Sequence, residues 1–294
     1  MSQFQKGILA PLPAQARHLF FAIESIEALP SALDALAGLV DGETAVVGFG
    51  ESVRHALSGS LGGLRAFPPI SGVGVDVPST QHAMWCWLRG EDRGELLHRT
   101  RAIEAAVSPA LALVLATDTF CYDNGRDLTG YEDGTENPKG DEALVAAFAA
   151  DDAAPGEAGG SYVAVQHWTH DLDTFAALPT AEQDNVFGRR RSDNEELDDA
   201  PVSAHVKRTA QESFEPEAFV LRRSMPWVEG REAGLLFVAF GHTLDAFEAQ
   251  LRRMTGLEDG VTDALFSFSQ PTTGGYYWCP PLTAGRIDLR ALMG

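Results

Sequence analysis

The 294-residue chain carries 42 acidic against 22 basic residues, a formal charge of −20, and 45% of its residues are hydrophobic. A field that negative repels phosphate backbones and anionic lipid surfaces, which argues against nucleic-acid and membrane partners. The apolar content suits a sizeable core in one large domain or two ordinary ones.

Residues 1–7 show no charged stretch leading into a long apolar one and no twin arginine, and the longest apolar run, 109–116, is far too short to span a bilayer. A cytoplasmic protein is expected. Residues 18–24 form an apolar run of strand length. Residues 31–40 have helical composition and end at Asp41-Gly42; residues 44–49 are a β-branched run closed by Gly50. Residues 82–88 read as an aromatic-rich strand, 91–107 as a helix with Leu96, Leu97, Ile103 and Ala106 at helical spacing, and 110–120 as a strand. Cys86 lies in the apolar run 83–88 and reads as a buried thiol. With Cys121 and Cys279 it makes three scattered cysteines and no CxxC pair, which predicts a reducing compartment without structural disulfides.

The order then repeats. Residues 161–168 read as a strand, 171–178 as a helix, 218–225 and 234–241 as strands, 244–254 as a helix, and 266–278 as the last strand. Each half fits a split βαβ unit, so the fold class expected is α+β: two ferredoxin-like halves with antiparallel sheets in a dimeric α/β-barrel-like arrangement. The divisions are 1–120, a linker loop 121–160, and 161–294. A linker that long inside a compact protein is normally functional or disordered.

The linker holds Gly130-Tyr131-Glu132-Asp133-Gly134-Thr135-Glu136-Asn137-Pro138. Glycines on either side of Asp133 let the backbone turn tightly and approach a ligand. The carboxylate is a turn stabiliser or a catalytic group. Among eight histidines, His205 in Pro201-Val202-Ser203-Ala204-His205 is the best metal-ligand candidate, at a loop entering a helix. Strand alternation through Leu221-Arg222-Arg223-Ser224-Met225 puts Arg222 and Ser224 on one face and Arg223 on the other. An arginine directed inward from such a strand needs an anionic partner or ligand. Residues 180–203, with Arg189-Arg190-Arg191 and then an acidic run 195–199, suit a solvated segment.

Residues 125–138 resemble the GxxDG region of the dye-decolourising peroxidases, and His205 and the Leu221-to-Pro226 stretch match that family's later segments in order and spacing. The length resembles the B-type subgroup. The resemblance implies a haem b (iron protoporphyrin IX) peroxidase. His205 would be the axial ligand, Asp133 and Arg222 the distal pair, and Arg189 a propionate contact. Ser224, where some members have Asn, would support the distal pocket, and Asp263 would hydrogen-bond the proximal imidazole. Partners implied are hydrogen peroxide and an organic reductant, in a homo-oligomer; an encapsulin shell is a further partner the sequence does not support, with no clear addressing tail beyond residues 287–294.

These residue types suit that chemistry. A carboxylate can shuttle the peroxide proton, and a permanently charged arginine can stabilise the leaving oxygen. A carboxylate base with a reference pKa near ~4 predicts activity persisting well below pH 6. Bulky dyes would deliver electrons through surface aromatics, with Trp227, Tyr276, Tyr277 and Trp278 as candidates. Two rivals stand beside this reading: a haem-handling protein with incidental peroxidase activity, and a haem-free dimeric binding module. His167-Trp168-Thr169-His170 lacks the Glu and third ligand of a zinc protease, the GxG fragments at 48–50 and 72–74 lack a full nucleotide fingerprint, and Ser203 with His205 lacks a nucleophile elbow.

Overall fold

In the computed structural model, which describes residues 3–293, ten strands build one sheet with antiparallel ladders throughout. The N-terminal strands are β1 (Gln15–Ile23), β2 (Ala45–Phe49), β3 (Met84–Gly90) and β4 (Leu111–Phe120). The C-terminal ones are β5 (Ser161–His170), β6 (Leu221–Arg222), β7 (Met225–Glu229), β8 (Glu232–Gly241), β9 (Ser269–Pro271) and β10 (Gly275–Cys279). Their order is β4-β1-β3-β2-β10-β5-β8-β6, with β7 beside β8 and β9 beside β5. Each half therefore places its strands fourth, first, third, second, the ferredoxin-like order, so the α+β expectation holds.

The halves join edge to edge at Trp278↔Phe49. The far ends approach where Thr119 Oγ1 donates to Met225 Sδ at 3.7 Å, but no ladder joins β4 to β7 among the described residues. The barrel-like expectation is corrected to an open sheet. Closure needs a continuous row of backbone hydrogen bonds, and here the two ends meet only through side chains.

Helices α1 (Leu29–Ala37) and α2 (Arg93–Val107) cover the N-terminal half. Asp92 caps α2 by accepting from Glu95 N–H at 2.9 Å, and Leu96, Thr100, Ile103 and Val107 turn one stripe inward. Alternation then splits the core into two layers. Leu19, Val47, Cys86 and Leu88 face Leu33, Leu36 and Leu96. Phe20, Val46, Trp85 and Trp87 meet Val163, Leu236, Phe240 and Tyr277 of the other half. Each such side chain contributes about 1.5–3 kcal/mol on burial. All three cysteines are free, Cys86 and Cys279 buried and Cys121 exposed.

His18 sits in the second layer, fully buried between Trp85 and Trp87 at 5.8 and 6.0 Å. Its Nδ1 accepts from Trp85 Nε1 at 3.3 Å, and its Nε2 has no partner. Burial, with His167 nearby and against the pull of Asp118, lowers its pKa to about 3.

Several expected elements differ. The strand expected over 218–225 is two pieces, β6 and β7, with the ladder interrupted at Arg223 and Ser224; Arg223 N–H still donates to Val238 O at 2.8 Å, while its side chain reaches the carbonyls of Ile8 and Leu9. The last strand divides into β9 and β10, preceded by a 3-10 turn at Ala264–Ser267. The helix expected over 171–178 is the short Leu172–Ala176, followed by α3 (Thr180–Phe187) inside the segment read as solvated. Trp227, Tyr276, Tyr277 and Trp278 are buried, which removes them as surface electron entries.

Candidate functional site

The loop carrying Asp133 is held in place by its neighbours. Gly130 and Gly134 have φ of +86° and +76°, where an L side chain would be strained. The Asn137 side chain clasps the backbone of Arg222: Nδ2 donates to Arg222 O at 3.0 Å, and Oδ1 accepts from Arg222 N–H at 2.8 Å. Gln211 adds a second tie, donating to Glu136 O at 2.8 Å and accepting from Val220 N–H at 2.9 Å. Tyr131 anchors the loop in a small cluster with Phe175, Phe187 and Phe268.

This clasp sets Asp133 Oδ1 4.0 Å from Arg222 Nη1. Neither side chain makes a hydrogen bond of its own among the described residues, and the buried Nε of Arg222 has no partner. The turn-stabilising carboxylate of this loop is Asp127, whose Oδ1 accepts from Thr129 N–H and Thr129 Oγ1 at 2.8 and 2.6 Å. Asp133 is thus spared turn duty and turned toward a cation. A largely buried guanidinium without acceptors calls for an anionic or polar ligand.

His205 opens the one-turn helix α4 (His205–Arg208). Arg208 locks that helix with a forked pair to Asp259 at 2.8 and 2.7 Å. His205 Nδ1 lies 2.8 Å from Asp263 Oδ2, and Asp263 is itself fixed by accepting Leu265 N–H at 2.9 Å. An ionised carboxylate only accepts, so Nδ1 carries a proton, and in the neutral imidazole that leaves the lone pair on Nε2. Nε2 makes no hydrogen bond among the described residues.

Asp133, Arg189, His205 and Arg222 line one cavity with an empty volume of about 1150 Å³, mouth included. Phe187, Phe237, Phe247, Leu251, Met254 and Leu265 supply apolar wall, several of them from helix α5 (Asp245–Met254). Asp263 stands behind His205. Arg189 pairs with Glu136 and, at 3.4 Å, with Glu196, and donates to Asn194 O at 3.0 Å. Ser224 is not brought to the cavity: it is buried, and its Oγ accepts from Val238 N–H at 3.3 Å.

The residues 124–284 match the family model described as "Dyp-type peroxidase, C-terminal". Over 296 residues the chain is 32% identical to the dye-decolorizing peroxidase of Mycolicibacterium paratuberculosis, covering 93% of this chain and 82% of that protein. The chain belongs to the dye-decolorizing peroxidase family. Among solved structures it is similar to a putative dyp-type peroxidase from Shewanella oneidensis (TM-score 0.89, 28% identity, 100% and 98% of the two chains). It is also similar to a DypB variant from Rhodococcus jostii in complex with heme (TM-score 0.85, 29% identity, 92% and 94%).

Other residues of this dye-decolorizing peroxidase's cavity were not foreseen. Asp127, His170 and Ser269 line it as a buried chain: His170 Nε2 is 3.1 Å from Asp127 Oδ2 and Nδ1 is 2.7 Å from Ser269 Oγ. Burial raises the Asp127 pKa, but His170 and Thr129 outweigh it and leave it below the usual value. The sequence signal was His170 in a strand of alternating apolar residues. Its partners lie 43 and 99 residues away, so spacing conceals them. His167 instead packs on Trp227 at 4.2 Å, and no group of three or more His, Cys, Asp or Glu among the described residues is placed to hold a metal ion. No helix among them is long and apolar enough to cross a membrane.

Proposed function

We propose that this peroxidase is a haem b enzyme of the B-type subgroup that reduces hydrogen peroxide and oxidises dyes or other organic donors. The observation that carries the reading is the unpartnered Arg222 guanidinium beside a free Asp133 carboxylate, in the same cavity as a histidine whose Nδ1 is already occupied. The donor set fits haem. His205 Nε2 would be the axial ligand, the apolar wall would take the macrocycle, and Arg189 would exchange a glutamate for a propionate. When bound, haem would supply the redox chemistry, storing the two oxidising equivalents that peroxide delivers until the donors reduce it.

The protein's part is to hold charges and move a proton. Asp133 takes the proton from the near oxygen of peroxide and returns it to the far one, which leaves as water. Arg222, always charged, stabilises the negative charge that develops on the leaving oxygen. Asp263 fixes the His205 tautomer and makes the imidazole more electron-rich. Two electrons and two protons from the donors complete reduction of one peroxide to two waters.

Asp133→Asn should keep the absorption spectrum of the haem-loaded protein and slow its reaction with peroxide by about 10²-fold or more, the usual contribution of a positioned acid–base group. Stopped-flow mixing with one equivalent of peroxide is the assay. A wild-type rate in the variant would return the step to Arg222 and water. A wild-type protein that binds haem but reacts slowly would favour a haem-handling role.

A further inference from the structure

Tyr131 lines the cavity two residues before Asp133. Its ring is buried and stacks on Phe187 with 4.0 Å between centroids. Its hydroxyl donates to Asp184 Oδ1. Asp184 is half-buried and also accepts from Arg191 N–H at 3.1 Å, and the Arg191 guanidinium stands 5.9 Å from the Tyr131 ring centroid. The phenol thus borders the cavity on one side and is one hydrogen bond from solvent on the other. Packing alone would need the ring and not the hydroxyl.

Burial first, then the bond to Asp184, holds the Tyr131 pKa above its usual value. Phenolate is therefore not the resting form, and an electron leaves this ring easily only if the proton leaves with it. The carboxylate that would take that proton is already in contact. Trp227 and Trp278 lack this arrangement: Trp227 donates to the Trp168 carbonyl at 3.0 Å, and Trp278 Nε1 is buried with no partner.

We propose that Tyr131 is a redox relay for electron-rich aromatic donors too large to enter the cavity, with Asp184 as its proton acceptor; this rests on the peroxidase reading above. One electron passes from the Tyr131 ring into the cavity, where peroxide supplies the oxidant, and the O–H proton moves to Asp184. The neutral phenoxyl radical takes one electron from a donor docked beside Asp184 and Arg191, and the proton returns from Asp184. Two such cycles deliver the two electrons that, with two protons released by the oxidised donors, reduce one hydrogen peroxide to two waters.

The test uses the haem-loaded protein, freeze-quenched after one equivalent of peroxide and read by electron paramagnetic resonance. Wild type should give a tyrosyl signal that narrows when the protein is made with ring-deuterated tyrosine. Tyr131→Phe, which keeps the ring, should abolish it, while Tyr122→Phe, at an exposed tyrosine nearby, should leave it. In Tyr131→Phe and Asp184→Asn, anthraquinone-dye turnover divided by each variant's own peroxide-step rate should fall at least about tenfold, the effect of ~1.4 kcal/mol on a barrier. A wild-type signal in Tyr131→Phe, or an unchanged ratio in both variants, overturns the relay alone. A wild-type protein that takes up no haem, or ignores peroxide, overturns the proposed function and the relay with it.

Discussion

Asn137→Ala isolates the clasp that holds the Asp133 loop. It removes two hydrogen bonds to Arg222, of 2.8 and 3.0 Å, while leaving both backbone groups of Arg222 in place. At about 1 kcal/mol net for each bond, the docked loop loses about 2 kcal/mol, roughly a 30-fold shift toward undocked forms. The remaining ties, Gln211 to Glu136 and Tyr131 to Asp184, stay intact, so the loss should be local. Amide hydrogen exchange is the assay: protection at Asp133 and Asn137, whose N–H groups donate to Gly125 O and Gly134 O, should drop by that factor. Amides of β5 and β8 should exchange as in wild type. Peroxide reduction should slow, since the 4.0 Å Asp133–Arg222 spacing depends on the docked loop. Wild-type protection at Asp133 and Asn137 would refute the assignment of Asn137 as the loop's tether.

Asp263→Asn removes the anion behind His205 and should weaken haem affinity about 10–100-fold, the usual cost of losing such an outer partner; equal affinities in a haem titration would count against it. His18 links stability to acid. The folded chain resists protonating it until about pH 3, whereas the unfolded chain protonates it near pH ~6.5. Its contribution is therefore complete above pH ~6.5, falls as pH drops toward about 3, and is flat below; from pH ~6.5 to ~5 the loss is ~2 kcal/mol at ~1.4 per unit. His18→Gln should flatten the decline between those pH values in urea denaturation, and a parallel decline would place the acid-labile group elsewhere.

The sheet was largely legible because its strands are apolar runs of the right length: residues 110–120 became Leu111–Phe120, and 91–107 became Arg93–Val107. Of the hairpin from Met225 to Gly241 the second arm is legible as 234–241, but the first, Met225–Glu229, is not, because Pro226 and charged Glu229, Arg231 and Glu232 obscure the strand pattern towards its turn. In the site, Asp133, His205, Arg189 and Arg222 come to one cavity, and Asp263 reaches His205. The Ser224 placement fails for a local reason: at the interruption between β6 and β7 its Oγ turns to accept from Val238 N–H of the neighbouring strand instead of reaching the cavity. Asn137 stood within the motif, but that it grips backbone 85 residues away is a tertiary fact. The sequence assigns Tyr131 no role of its own, since one sequence cannot say that an aspartate 53 residues later will meet its hydroxyl.

Strand β10, near the middle of the sheet, comes last in chain order among its ten strands. The N-terminal four strands can pair among themselves once residue 120 has left the ribosome. The C-terminal strands cannot complete their order until residue 279 arrives. A nascent chain stopped before Gly275 would expose the edges of both β2 and β5, each a template for pairing with a neighbouring chain. Truncation just short of that strand therefore yields aggregation-prone material.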